Sequence, residues 1–293
     1  MKKVLVLVGA VILTTACVEQ SKEDKTMEQV TNEQTVAPLN EGDVIAGVNL
    51  TVAEGKRLIA KGIANHPAVK AKLQKGTIII TTGSTNTYVA EELAGLTAPR
   101  GSFMTGNITP EGTPGVGEGV ERVSNIVLVD GKQVEINYED ALKQIEEGGI
   151  IFKGGNLLNY ERQQAAVCIG APDGGTTARI RKVTTGEAKA KHIVPIGLEK
   201  QVYGDLNEYE KIAATKTEQL AYVPRVWVHK NAEIFTEIEA IKTVATVNVV
   251  PFAAGGLAGR EGGISLAVYG SKEEVQKVLD FVASIQGEGA FKE

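Results

Sequence analysis

Two stretches of this sequence put glycine and hydroxyl residues where a strand gives way to a helix, and such junctions suit anions. The first is Gly83-Ser84-Thr85-Asn86, which follows the β-branched run 77–82 and precedes a helical stretch over 88–96. The second is Gly174-Gly175-Thr176-Thr177, ahead of a helix that runs toward Lys189 and carries Arg179 and Arg181. A helix N-terminus leaves N–H groups unpaired and carries a partial positive charge, so it favours phosphate or carboxylate. Glycine lets the backbone approach a ligand, and the hydroxyls add donors. The same residue types also cap helices that bind nothing. One junction alone therefore says little, whereas two in one domain point to a shared anionic pocket. Lys153 ends the apolar run 150–152 and opens Gly154-Gly155-Asn156. It is the candidate charge of that pocket, set against the plainer alternative of a surface lysine at a strand end.

Other reactive residue types carry less. His66, His192 and His229 are scattered, with no metal-ligand spacing, so neither a metal nor a cofactor is expected. Cys168 lies in the apolar run 165–169 and reads as a small buried hydrophobe rather than a nucleophile. Gly115-Val116-Gly117-Glu118-Gly119 has the glycine spacing of a dinucleotide loop, but no strand precedes it and no helix follows. The glycine-rich stretch 253–263 carries Arg260 and Glu261 at its tip, and serves either as a flap over a ligand or as a plain connection.

The elements that must hold these residues alternate. Helical spacing over 52–64, with Thr51 as N-cap, and over 68–73 leads to a compact strand at 77–82. The Gly-, Pro- and Thr-rich stretch 99–122 is long for a connection inside a domain, as lids and binding loops are. A hairpin is expected at 126–129 and 134–136 about Asp130-Gly131, a helix at 138–146, and strands at 150–153, 165–169 and 192–196. Strands alternating with helices predict an α/β fold, a largely parallel sheet with helices on both faces. Beyond it, a helix at 236–244, strands at 247–252 and 264–269, and a helix at 272–285 capped by Ser271 predict a small C-terminal α+β subdomain.

The N-terminus gives the chain an address. Lys2 and Lys3 precede an apolar run over 4–13, too short to span a bilayer but suited to a signal peptide. Thr14-Thr15-Ala16-Cys17 follows, and it resembles the bacterial lipobox with Thr14 where leucine is usual. The resemblance implies cleavage after residue 16 and lipidation of Cys17, and so a protein anchored to a membrane on its extracytoplasmic side, in the cell envelope. Residues 17–42 are polar and read as a tether. The α/β domain then spans 43–230 and the subdomain 231–293. A net charge of -5 lacks the basic footprint that nucleic acid requires. With Cys17 given to lipid, Cys168 has no partner for an intramolecular disulfide.

A family resemblance runs through the site residues. The order strand, Gly83-Ser84-Thr85-Asn86, helix is similar to the phosphate loop of ribose-5-phosphate isomerases. Phe152-Lys153-Gly154-Gly155-Asn156 resembles their Lys-Gly-Gly segment, or the Ala-Asn segment of lactate-utilisation-type domains. Gly174-Gly175-Thr176, and then the run from His192 to Val202 with Gly197, Glu199 and Lys200, resemble the closing part of those domains. Together these cover residues 75–205. The resemblance implies the superfamily of sugar-phosphate isomerases, deaminases and CoA-transferases, whose sites face phosphorylated or carboxylated small molecules. Two of its features are missing. The isomerases' acidic Asp-Gly-Ala-Asp-Glu segment has no counterpart, and their downstream catalytic glutamate could only be Glu161, in a dissimilar context. The expectation is therefore a lipoprotein that binds a small anionic ligand without catalysis. The alternatives are an enzyme of the isomerase or CoA-transferase class, with Lys153 and Glu161 as candidate catalytic residues, and an assembly role through the C-terminal subdomain.

Overall fold

The computed structural model describes residues 36–108, 114–115, 121–186 and 189–290. Cys17, the signal segment and most of the tether lie outside the described residues, as do positions 116–119. In chain order, β1 (Val44–Leu50) leads into α1 (Val52–Asn65), where Thr51 and Glu54 exchange side chain-to-backbone hydrogen bonds as a reciprocal cap. His66 ends α1 and caps α2 (Pro67–Gln74) by accepting from the Ala68 N–H at 3.1 Å. Then come β2 (Thr77–Ile80), α3 (Ser84–Ala94), the short pair β3 (Asn107–Ile108) and β4 (Pro114–Gly115), and β5 (Ile126–Val129). β6 (Lys132–Gln133), α4 (Tyr138–Gln144), β7 (Ile150–Phe152), β8 (Leu157–Asn159) and β9 (Gln164–Ile169) follow. α5 (Gly175–Thr185) leads to β10 (Lys191–Pro195), a 3-10 turn (Leu198–Lys200) and α6 (Leu206–Ala214). The chain continues through β11 (Arg225–Val228), β12 (Ala232–Phe235), α7 (Glu237–Lys242), β13 (Asn248–Ala254), β14 (Ile264–Gly270) and α8 (Lys272–Ala283).

The protein is broadly α/β. A six-stranded sheet runs in the order β12-β10-β7-β2-β5-β6, and its first four strands are parallel. β2 explains why. Ile78, Ile79 and Ile80 are all fully buried, and continuous β-branched strands of this kind suit positions covered from both sides. Ile78 and Ile80 pack with Phe152, with Leu58 of α1 and with Ile238 of α7. Ile79 packs instead with Ile151, with Leu142 of α4 and with Ile180 of α5. β5 and β6 add an antiparallel edge through a two-residue turn, Asp130 (φ 49°) and Gly131 (φ 74°), whose positive φ values fit the twist of a tight hairpin.

Three expectations shift. The strand at 165–169 is not part of the parallel sheet: β9 is the middle of a separate antiparallel sheet, β11-β9-β8. The turn at 160–163 is the cause, because a tight turn reverses the chain, whereas parallel neighbours need a crossover of a dozen or more residues. The helix expected from residue 88 begins at Ser84, directly after Gly83. The small layer also draws on both ends of the chain. β1 pairs antiparallel with β14 in the sheet β1-β14-β13, while β12 belongs to the six-stranded sheet. Ser271 caps α8 as expected, accepting from the Glu274 N–H. No helix among the described residues is long and apolar enough to cross a membrane.

Candidate functional site

β2, β7, β10 and β12 point the same way, and open α/β sheets carry ligands beyond the carboxyl ends of such strands. Asn86 stands at that edge. It is fully buried, and its amide donates to the Thr81 carbonyl at 2.7 Å and the Phe152 carbonyl at 3.2 Å, which ties the ends of β2 and β7 together. It therefore braces the strands rather than facing outward. Asn86 Oδ1 and the Thr85 hydroxyl are nonetheless buried without a partner. Ser84 and Gly83 are half-buried at the helix start, and the Gly83 N–H is spent on the Phe103 carbonyl at 2.9 Å.

One residue further along β7 the chemistry changes. Lys153 is partly buried, and its ammonium is lowered from 10.5 to about 8 by desolvation, with no carboxylate acting on it. The Gly154 carbonyl accepts from His229 Nε2 at 3.1 Å, and the Gly155 carbonyl accepts from Lys200 Nζ at 2.8 Å. Gly155 has to be glycine, since a Cβ there would stand 2.7 Å from the Ala166 carbonyl oxygen. Asn156 is exposed, and its side-chain oxygen accepts from the Cys168 N–H at 3.0 Å.

The histidines that look scattered in sequence meet here. His192 on β10 pairs in register with Ile151 of β7 and is 2 % exposed, while His229 follows β11 and is 7 % exposed. Their rings meet edge to face with centroids 4.8 Å apart. Burial pushes His192 down to about 4. Burial, and then His192 itself, hold His229 well below the usual histidine range. Both are neutral at physiological pH. Sequence reasoning missed them because the residues flanking His192 form an ordinary buried strand. The one available signal was a histidine inside that apolar run.

The second glycine–hydroxyl start reaches the same place through His229. Gly174 caps α5 in the left-handed region (φ 80°) with no side-chain cap, and a Cβ there would lie 2.5 Å from the Trp227 ring. Gly175 donates to Asp173 at 3.0 Å, and Thr176 is half-buried. Thr177 is 2 % exposed with its hydroxyl unpartnered. One turn on, Arg181 donates to the Val228 carbonyl at 2.9 Å, lies over the Trp227 ring and exerts its charge on His229. Its Nε is buried without a partner.

The predicted residues thus divide. Lys153 and Gly154 adjoin His192 and His229, and these connect to Arg181 and to the α5 start. Of Gly83, Ser84, Thr85 and Asn86, Asn86 touches the same β7 segment, at the Phe152 carbonyl. Glu161 does not join them, being exposed in the turn between β8 and β9. Cys168 is half-buried rather than fully buried, with burial raising its thiol. An open cleft of about 580 Å³ lies elsewhere, between the end of β9, the end of α6 and the segment 215–225, and includes no predicted site residue. No group of three or more His, Cys, Asp or Glu among the described residues is placed to hold a metal ion.

Comparison with protein-family models, with curated proteins and with solved structures finds no match. A second cluster lies at the carboxyl ends of β10 and β12. Glu237 is 2 % exposed and accepts from the Leu198 N–H at 2.9 Å. Burial, and then the charge of Glu199, raise it far above the usual carboxylate range. Lys56, 8 % exposed, is lowered to about 8 by burial and then by the Lys200 charge.

Proposed function

We propose that this protein is an extracytoplasmic lipoprotein, anchored to a membrane through Cys17, that binds a small phosphate- or carboxylate-bearing ligand. In this reading residues 17–42 tether an α/β domain whose sheet carries helices on both faces, and β1, β13, β14 and α8 form a small α+β layer drawn from both ends of the domain. The observation that supports ligand binding is Lys153. An ammonium drawn out of water without a carboxylate beside it is unfavourable, because buried charge is normally paired. A bound anion supplies the missing charge. The resemblance to the isomerase and CoA-transferase superfamily agrees in ligand class.

The test has two arms. Cys17→Ser should release the protein from membranes and abolish incorporation of labelled palmitate. A thermal-shift screen of phosphates and carboxylates should raise the melting temperature of the wild type by mass action. Lys153→Met should keep the fold and lose at least about a hundredfold in affinity, about 2.7 kcal/mol. A folded Lys153→Met protein that binds every anion as the wild type does refutes the assignment.

A second reading, an enzyme of the sugar-phosphate isomerase or CoA-transferase-like class, draws on one observation. Glu237 is raised far above the usual carboxylate range by burial and then by the Glu199 charge at the strand ends, and a carboxylic acid kept protonated in this way suits a general acid. Turnover of a sugar phosphate or CoA ester that disappears in Glu237→Gln would favour it. No turnover of either class leaves the binding protein.

A further inference from the structure

The same site says more about its ligand, on the footing that it binds an anion at all. A neutral imidazole has one N–H and one bare nitrogen. His229 Nε2 faces the Gly154 carbonyl at 3.1 Å, and a carbonyl only accepts, so Nε2 carries the proton and Nδ1 is bare. His192 is hydrogen-bonded to the backbone of Lys153, which leaves its Nε2 as the bare atom. Both bare nitrogens are buried and have no partner, on rings 4.8 Å apart. Two strong acceptors thus stand where the Lys153 charge acts on both rings, and the Arg181 charge acts on His229 as well.

A metal ion does not suit them. It would share the site with the Lys153 ammonium and the Arg181 guanidinium, and Glu210, 3.8 Å from Arg181, is already engaged with that cation. A fully ionised anion satisfies Lys153 but sets its own lone pairs against the imidazole nitrogens. An anion that also carries a hydroxyl satisfies both, its oxygen accepting from Lys153 and its O–H donating to imidazole. We propose that the Lys153–His192–His229 cluster selects anions bearing a hydroxyl hydrogen, such as hydrogen phosphate or a short hydroxy acid, over anions of the same shape without one. Leaving a buried acceptor unmet costs about 1–3 kcal/mol, which corresponds to a selectivity of roughly tenfold or more.

Calorimetric titration of the purified protein with four anions at neutral pH tests this. Phosphate is compared with sulfate, and glycolate with propionate, each pair alike in shape and differing in the hydroxyl. Phosphate and glycolate should each bind at least about tenfold more tightly than their partners. The stronger of the two identifies the ligand as phosphate-like or hydroxy-acid-like. In His192→Gln or His229→Gln the amide offers an N–H to the anion, so the ratios should fall toward one. Sulfate binding as tightly as phosphate overturns the selectivity and leaves the anion site standing. So do ratios unchanged in both variants when folded. No heat with any of the four anions overturns the anion site itself. If neither variant folds, the wild-type ratios decide alone.

Discussion

Two charged regions of this protein are built on opposite plans. Around Tyr88, Arg57 donates to Glu92 at 2.9 Å, to Glu288 at 2.8 Å and to Glu91, while Arg100 reaches Glu91 and Glu288. Both guanidinium groups stack on the Tyr88 ring, 4.7 and 4.4 Å from its centroid. Every cation there meets an anion. Around Lys153, no carboxylate meets the lysine, two imidazoles leave polar atoms unmet, and of the cations only Arg181, 3.8 Å from Glu210, has an anion. The first arrangement ties α1, α3, the loop after α3 and the C-terminal tail together, and needs nothing more. The second is unfinished as a structural device. Pairing thus separates charge that holds a fold from charge that awaits a ligand.

Arg57 gives the largest effect by which that contrast can be broken. Its side chain is only 12 % exposed, and removing it leaves three partly buried carboxylates short of a partner. Arg57→Ala should destabilise the protein by about 3 kcal/mol, within the range for opening a buried ion-pair network. Urea denaturation measures it through the midpoint at unchanged slope. Arg57→Lys keeps the charge but not the fork of donors, and should lose about half as much. A loss for Arg57→Ala within the ordinary surface range of about 0.5 kcal/mol would erase the distinction between the two regions.

How much of this was readable in the sequence depends on whether the signal was local. β2, β7 and β10 stand out because runs such as Ile78-Ile79-Ile80 are β-branched and uninterrupted, and the caps at Thr51 and Ser271 are read from adjacent residues. The partner of a strand is not local: the run 165–169 looks like its parallel neighbours, and only the turn before it sets its direction. The same limit applied to the site. Lys153, Gly174 and Thr177 were legible as strand-end and helix-start residues. His192 and His229 were not, because their meeting depends on β10 and β11 coming together across different sheets. Asn86 was legible as a residue but not as a brace, since its partners are the Thr81 and Phe152 carbonyls.

The smaller effect sharpens the contrast from the other side, because Lys153 should weaken the empty protein. Its folded pKa, about 8, lies below the ordinary value of 10.5. Below pH 8 both folded and unfolded chains hold the proton, and the full desolvation penalty is present. Between 8 and 10.5 the unfolded chain holds a proton that the folded chain has released, so stability rises with pH; above 10.5 it levels off. The size is on the order of 1–3 kcal/mol after allowance for partial exposure. Lys56 shifts in the same direction, so the wild-type profile alone does not isolate Lys153. The difference from Lys153→Met does. At neutral pH, Lys153→Met should be the more stable protein, and its advantage should shrink as pH rises from 8 to 10.5. Parallel profiles for the two proteins would mean that Lys153 is solvated like any surface lysine, and its place in the site would go with that. A saturating anion should close the same gap at neutral pH by giving the ammonium its counter-charge. Arg57, already paired, offers no such gap to close.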